Sequence, residues 1–136
     1  MALIHASCVE YSKRGILIFG PSGAGKSDLA LRLLDAGGTL VSDDYVNVEA
    51  ENGNLFASVA PNIEGLIEVR GVGLMKVDHV KSHKVDLVLD LCGYENIDRM
   101  PEGNFFEQEG IKVPLYKFDG FSVSALAKIN LIIKAL

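Results

Sequence analysis

One glycine-rich motif constrains how this chain can fold more than any other feature of its sequence. Residues 20–27 read Gly-Pro-Ser-Gly-Ala-Gly-Lys-Ser and match the pattern G-x-x-x-x-G-K-[ST] in full. In this pattern the glycines allow a tight backbone curl that points several amide N–H groups inward, at phosphate oxygens. The sequence therefore predicts a nucleotide triphosphate site formed by Gly20, Pro21, Ser22, Gly23, Ala24, Gly25, Lys26 and Ser27.

The segments on either side meet the structural requirement of the motif, a strand before the loop and a helix after it. Residues 16–19 form a short apolar run rich in β-branched and aromatic side chains, which is typical of a strand buried on both faces. Apolar residues recur at helical spacing through residues 29–34, and a glycine pair at 37–38 ends the helix. In this unit we expect Lys26 to supply a cation for the β- and γ-phosphates and Ser27 a hydroxyl ligand for Mg²⁺.

Length and charge restrict the class of protein. A chain of 136 residues with 49% apolar content can bury one core, so we expect a single domain over residues 1–136. The net charge of −5 argues against affinity for nucleic acids or anionic membranes, which clustered Lys and Arg would drive. The sequence has no apolar stretch of membrane-spanning length and no leader-like start, and Cys8 and Cys92 fit no metal or redox spacing. These features predict a cytoplasmic protein that binds neither nucleic acid nor membrane.

The remaining elements are predicted from apolar alternation, turn residues and capping signals. In the first half of the chain we expect a strand at 2–9 in a hairpin with 16–19, a strand at 39–42 parallel to the strand at 16–19, and a hairpin of 46–50 with 55–59. In the second half we expect an alternating strand at 66–70, a strand at 85–91 and a long connection at 92–112. A closing helix should begin at about Val123, with Ser122 as its N-cap.

A bound Mg²⁺–nucleotide needs a second anchor, usually an acidic residue at the end of a strand next to the loop's strand. Two positions compete for this role: the tandem Asp43 and Asp44 after the strand at 39–42, and Asp90 in the strand at 85–91. The tandem acids are favoured for two reasons. A single crossover connects the loop's strand to the strand that they follow, and one carboxylate could accept a proton while the other lies near the metal or acts as an electrostatic partner. The alternatives are a solvated turn carboxylate for Asp44 and a strand-end acid outside the site for Asp90.

Three segments together resemble the catalytic domain of the HPr kinase/phosphorylase family. They are residues 20–31 (Gly-Pro-Ser-Gly-Ala-Gly-Lys-Ser-Asp-Leu-Ala-Leu), 40–46 (Leu-Val-Ser-Asp-Asp-Tyr-Val) and 67–74 (Ile-Glu-Val-Arg-Gly-Val-Gly-Leu). Their order and spacing match the family, and the third contains its signature E-x-R-G-x-G. The resemblance is strong over about residues 3–80 and loose beyond.

The resemblance implies an α/β fold, with a mixed, curved sheet around the phosphate loop similar to the core of phosphoenolpyruvate carboxykinase. It implies a protein serine kinase that uses ATP and Mg²⁺ and acts on an HPr-type phosphocarrier protein of the sugar phosphotransferase system. In many members the same site also runs phosphorolysis of the phosphoserine. Members commonly form hexamers, so the resemblance also implies a homo-oligomer.

By position, the resemblance makes Asp43 the base that takes the substrate serine's proton and Asp44 a supporting acid. His5 matches an active-site histidine of the family and is expected to polarise or orient the Asp43 carboxyl. From the residues alone, a single histidine on a strand is more often a structural residue with satisfied hydrogen bonds.

The signature segment contributes two further residues, again by resemblance. Glu68 is expected to help Ser27 bind Mg²⁺, and Arg70 to offset phosphate charge. Taken without the family, residues two apart on a strand face the same side, and an exposed ion pair is the ordinary explanation.

The chain also departs from the family pattern in two respects. Full-length members carry an N-terminal domain, so we expect a short form that lacks it. A Pro-Gly-Arg loop linked to phosphorolysis has no match in residues 113–118, where Pro114 and a possible substitute cation, Lys117, remain. The missing loop therefore argues against phosphorolysis and leaves the prediction of kinase activity unchanged. The competing functions are an ATP-sensing regulatory module that tolerates loss of Asp43, and a P-loop kinase for a small molecule.

Overall fold

A computed structural model describes residues 2–136, which form twelve strands and two helices. The strands are β1 Ala2–Ile4, β2 Ser7–Tyr11, β3 Arg14–Phe19, β4 Thr39–Ser42, β5 Val46–Glu51, β6 Asn54–Val59, β7 Leu66–Val69, β8 Gly73–Lys76, β9 Ser82–Lys84, β10 Leu87–Leu91, β11 Asn104–Gln108 and β12 Ile111–Phe118. The helices are α1 Lys26–Asp35 and α2 Ala125–Ala135, and a single 3₁₀ turn covers Tyr94–Asn96. Within residues 2–136, no helix is long enough and apolar enough to cross a bilayer.

Two sheets and a separate hairpin contain all twelve strands. The larger sheet has the order β11-β12-β10-β3-β2-β4, with β12, β10 and β3 running parallel and the other neighbours antiparallel. The second sheet, β1-β5-β6-β9, is antiparallel throughout, and β7 pairs only with β8. The mixed α/β architecture expected from the sequence is therefore present.

The central strands of the larger sheet are buried on both faces, which explains the continuous apolar run of β3. Ile16 and Ile18 join a buried cluster with Leu29 and Leu33 of α1, whereas Leu17 points into a second cluster with residues of β5 and β6. Successive side chains of a strand face opposite sides, so a strand between two cores needs apolar residues at every position. The burial of these side chains fixes the position of β3 and of the loop that follows it.

The loop between β3 and α1 depends on a glycine at the start of the helix. Gly25 is the N-cap residue of α1 and has a φ of 94°, a left-handed conformation that an L side chain rarely adopts. A Cβ at this position would also lie 3.0 Å from the ring of Phe121. The helix ends near the predicted glycine pair, where the Gly38 amide donates to the carbonyl of Leu33.

Two expectations about the first half of the chain need correction. The strand predicted at 2–9 is divided at His5 into β1 and β2, which belong to different sheets. The strand β4 does run in the direction of β3, but β2 lies between them and bonds to both. The strand that pairs in parallel with β3 is β10, which carries Asp90 opposite Phe19.

The second half contains more strand structure than the sequence predicted. The expected connection at 92–112 includes β11 and the start of β12, joined by a tight turn at Glu109 and Gly110, both with positive φ. Residues 92–112 are polar, contain glycine and lack periodicity apart from Phe105 and Phe106, so the sequence did not indicate this hairpin. Pro114 is tolerated within β12 since β10 pairs with β12 only from Leu115 onward. The short strands β8 and β9 were not foreseen, and α2 begins two residues later than expected, with Ser124 as its N-cap.

Candidate active site

A cleft of about 560 Å³ opens beside the N-terminal end of α1. It is lined by residues of the phosphate loop and the first turns of α1, by His5 and Asp44, and by residues 68–70. Phe121, in the connection between β12 and α2, also lines it. The cleft therefore gathers loop, strand-end and hairpin residues that are far apart in the sequence.

The lysine of the loop is folded inward. Lys26 is 8% exposed, and its Nζ donates hydrogen bonds to the carbonyl oxygens of Gly20 at 2.7 Å and Pro21 at 3.4 Å. A buried ammonium at the positive end of a helix dipole makes this part of the cleft favourable for an anion. Of the eight loop residues predicted to bind phosphate, Ser22, Gly23, Gly25, Lys26 and Ser27 line the cleft, and Gly20, Pro21 and Ala24 do not.

Asp43 is a buried carboxylate in contact with three elements. Only 6% of the residue is exposed, and its Oδ1 accepts hydrogen bonds from the hydroxyls of Ser27 at 2.9 Å and Ser7 at 3.0 Å. Its Oδ2 accepts a third bond from the backbone amide of Glu68, at 3.1 Å. Such bonds are what a buried charge requires. The end of β4 thus meets the predicted Mg²⁺ ligand Ser27. Neither Asp43 nor the rival candidate Asp90 lines the cleft, but Asp43 is bonded to Ser27, which does.

Asp44 has the opposite environment. Its side chain is 59% exposed and lines the cleft, and its Oδ1 lies 2.8 Å from Nε2 of His5. The backbone at Asp44 is left-handed, with a φ of 68°, and its amide donates to Oγ of Ser7 at 3.0 Å. Aspartate tolerates this conformation better than most residues. Because of this turn the two adjacent acids differ in environment: Asp43 is buried and Asp44 is exposed.

His5 contacts a different acid from the one expected. The sequence interpretation had it orient Asp43, but its Nε2 is bonded to Asp44. The ring is also stacked on Tyr45, with centroids 4.9 Å apart and planes 22° from parallel. This position follows from the break between β1 and β2, which turns the histidine out of both sheets.

Glu68 and Arg70 both line the cleft at the end of β7 and are exposed. None of the close ion pairs found in residues 2–136 joins these two side chains, so the ordinary explanation for their spacing does not apply. Lys117, the expected substitute cation, lies on β12 and is not a cleft residue.

The cleft offers oxygen ligands of the kind that Mg²⁺ prefers. The Ser27 hydroxyl and the Asp43 carboxylate are adjacent, and Glu68 lies on the same cleft. No group of three or more His, Cys, Asp or Glu able to hold a metal occurs in the described residues. This donor set fits Mg²⁺, which usually binds one or two carboxylates and completes its shell with water and substrate phosphates.

Sequence reasoning missed Ser7 and four residues of the cleft lining, Asp28, Leu31, Val69 and Phe121. Ser7 is fully buried and does not line the cleft, but it is hydrogen-bonded to both acids; in the sequence it reads as an ordinary strand position. Phe121 is 63% exposed, and the only available signal was an aromatic residue after the turn-forming Asp119 and Gly120.

A sequence model of the family described as HPr Serine kinase C-terminal domain matches residues 1–133. The chain belongs to this family. Among curated relatives, a protein named HPr kinase/phosphorylase from Streptococcus thermophilus (strain ATCC BAA-491 / LMD-9) is 37% identical over 123 residues, which cover 82% of this chain and 40% of the relative. One of the same name from Mycoplasmopsis pulmonis (strain UAB CTIP) is 40% identical over 109 residues, covering 71% of this chain and 35% of that protein.

A solved structure confirms the predicted fold class. The structure of the Hpr(Ser) kinase/phosphatase from Coxiella burnetii superposes with a TM-score of 0.86 at 28% sequence identity, covering 99% of this chain and 90% of that one. The curated relatives are longer, since the chain spans about 40% of the length of the Streptococcus protein.

Proposed function

We propose that this chain is an ATP-dependent protein serine kinase that transfers the γ-phosphoryl group of ATP to a serine of an HPr-type phosphocarrier protein in the cytoplasm. The observation that carries the proposal is that, of two adjacent acids, one is buried against the phosphate loop and the other lines the cleft. Asp43 is buried against the loop serine, and Asp44 is open to the space in which a substrate hydroxyl would arrive.

The geometry favours Asp44 as the base and revises the expectation for Asp43. The Asp43 carboxylate already accepts three hydrogen bonds, and the residue is almost inaccessible. A general base must come within hydrogen-bond reach of the proton that it removes. The exposed carboxylate of Asp44 can do so, and its bond to His5 holds it in one orientation.

Asp43 is better suited to the metal side of the site. Together with Ser27 and Glu68 it would hold Mg²⁺, which supplies charge neutralisation for the phosphates when bound. The loop amides and Lys26 bind the phosphates, and Arg70 faces the same cleft with a cation for charge that develops during transfer.

In the proposed step, the serine hydroxyl of the substrate loses its proton to the Asp44 carboxylate while its oxygen forms a bond to the γ-phosphorus. The bond between that phosphorus and the β–γ bridging oxygen breaks, and ADP leaves with the bridging oxygen. Phosphorolysis would need Asp44 to return the proton in the reverse direction. By family resemblance we also propose that the chain forms a homo-oligomer, which light scattering tests. Phosphorolysis is proposed on the same ground, and release of pyrophosphate from phosphoserine-HPr and inorganic phosphate tests it.

The test is transfer from labelled ATP with Mg²⁺ to candidate HPr-type proteins, followed by mass mapping of the modified serine. We expect Asp44→Asn to lower kcat by about 10²- to 10⁴-fold, the usual contribution of a general base, while ATP affinity stays nearly unchanged. Asp43→Asn should instead weaken binding of Mg²⁺–ATP.

The paired variants also separate the alternatives. Normal transfer by Asp44→Asn, with Asp43→Asn inactive but binding Mg²⁺–ATP normally, would return the base role to Asp43. Binding of ATP without transfer to any phosphocarrier would favour the ATP-sensing module, and phosphorylation of a metabolite alone would favour the small-molecule kinase.

A further inference from the structure

Phe121 is an exposed aromatic side chain beside the phosphate loop. It is 63% exposed, yet it lines the cleft, and its ring lies where a Cβ on Gly25 would approach within 3.0 Å of Cζ. Single exposed apolar side chains are common on protein surfaces, so what distinguishes Phe121 is its place in the lining of the cleft, beside the phosphate loop. The steps proposed for phosphoryl transfer do not use this ring.

The backbone around Phe121 is held firmly, although its side chain is open. The guanidinium of Arg32 on α1 donates to the carbonyl of Gly120 at 2.9 Å and to that of Ser122 at 3.2 Å, one residue to either side. The amide of Phe121 itself donates to Oδ1 of Asp119 at 3.0 Å. An aromatic ring whose flanking residues are fixed in this way is preorganised, so a ligand that stacks on it loses little free energy in ordering it.

The residues that line the cleft differ in chemistry, and this difference orients a bound nucleotide. His5, Asp44, Glu68 and Arg70 are the polar group, which the proposed reaction assigns to the γ-phosphate and the acceptor hydroxyl. Phe121 lies against Gly25 at the N-cap of α1, and the apolar Leu31 of α1 lines the same cleft. A triphosphate with its terminal group at the polar residues therefore places its nucleoside at the apolar lining, next to Phe121.

Resting on the proposed function, we propose that Phe121 is the platform on which the nucleotide base stacks. Stacking uses the face of the base and not its edge, so this site discriminates by ring size more than by exocyclic groups. Purine nucleotides, with the larger face, bind more tightly than pyrimidine nucleotides, and ATP and GTP bind similarly.

The test compares ATP with inorganic tripolyphosphate, which has phosphates but no base, by titration calorimetry with Mg²⁺. Phe121→Ala is expected to weaken ATP binding by about tenfold or more, the loss typical of one base–aromatic stack. It should leave tripolyphosphate affinity unchanged, and Phe121→Trp should restore ATP binding. Phe105→Ala is the matched control, because Phe105 is 57% exposed on β11, outside the cleft.

Several results would overturn the inference. Equal weakening of both ligands by Phe121→Ala would mean that the ring only supports the loop at Gly25, and Phe121→Leu, which keeps apolar bulk, would then bind like wild type. A change in oligomeric state with unchanged ATP affinity would make Phe121 an interface residue. Wild-type affinity for UTP equal to that for ATP would also contradict stacking.

A different result would refute the proposed function. If wild-type protein binds ATP more tightly than tripolyphosphate, through Phe121, but transfers no phosphoryl group, the base site is supported and the kinase activity is refuted. Failure of wild type to bind either ligand would refute both.

Discussion

Replacing Ser7 with alanine tests how the two acids are held apart. The hydroxyl of Ser7 donates to Oδ1 of Asp43 at 3.0 Å and accepts from the amide of Asp44 at 3.0 Å, in a residue with no exposed surface. One side chain therefore fixes the buried carboxylate and the left-handed turn that exposes the next one. We expect Ser7→Ala to lower both stability and transfer activity.

The expected loss of stability follows from the two bonds. A hydrogen bond to a charged group contributes about 1.5–3 kcal/mol, and a donor left without a partner adds to the loss when it is buried. Asp43 keeps its bonds from Ser27 and Glu68, and the neighbouring turn is partly open to water, so the lower half of this range applies. We expect the free energy of unfolding to fall by about 2 kcal/mol.

Urea unfolding measures this loss. With a slope of about 2 kcal/mol per molar urea, the midpoint should move by about 1 M, with the slope unchanged. Ser82→Ala, on the exposed strand β9, is the control and should stay within about 0.5 kcal/mol of wild type. A loss for Ser7→Ala no larger than that of the control would refute the reasoning. The expected loss of stability together with a reduced kcat and normal ATP affinity would indicate that Ser7 also positions Asp44.

Two other predictions concern residues away from the cleft. Burial raises the pKa of the Cys8 thiol to about 12, so this thiol stays protonated at pH 8. An aromatic disulfide reagent should therefore modify only Cys92 in the native protein and both cysteines in denaturant. Rapid reaction of two thiols under native conditions would contradict this prediction. Gly15→Ala should destabilise by about 3 kcal/mol or more, because the new Cβ would overlap the backbone carbonyl of Lys84, whereas Gly103→Ala has open space and should be nearly neutral in thermal unfolding.

Patterns with local causes were predicted well from the sequence. The β3 strand, the phosphate loop and α1 were all expected, because apolar runs, glycine spacing and helical periodicity act over a few neighbouring residues. The hairpin of β5 and β6 was predicted from its Asn52-Gly53 turn in the same way, and both residues have positive φ. The hairpin of β11 and β12 was missed because residues 92–112 are polar, contain glycine and show no alternation, so no local pattern indicates a strand there, and the strand forms through pairing with β12.

The sequence by itself determined that this chain forms a phosphate loop between a buried strand and a helix, with a pair of acids downstream. Only the tertiary structure decided which acid is buried, because that choice depends on contacts across 36 residues from Ser7 to Asp43 and 39 residues from His5 to Asp44. It also decided that Phe121 lies beside Gly25, a contact between a loop near the end of the chain and one near its start. A loop motif is specified by adjacent residues, whereas hydrogen bonds to a buried carboxylate are formed by whichever distant segments the packing of the two cores brings to it.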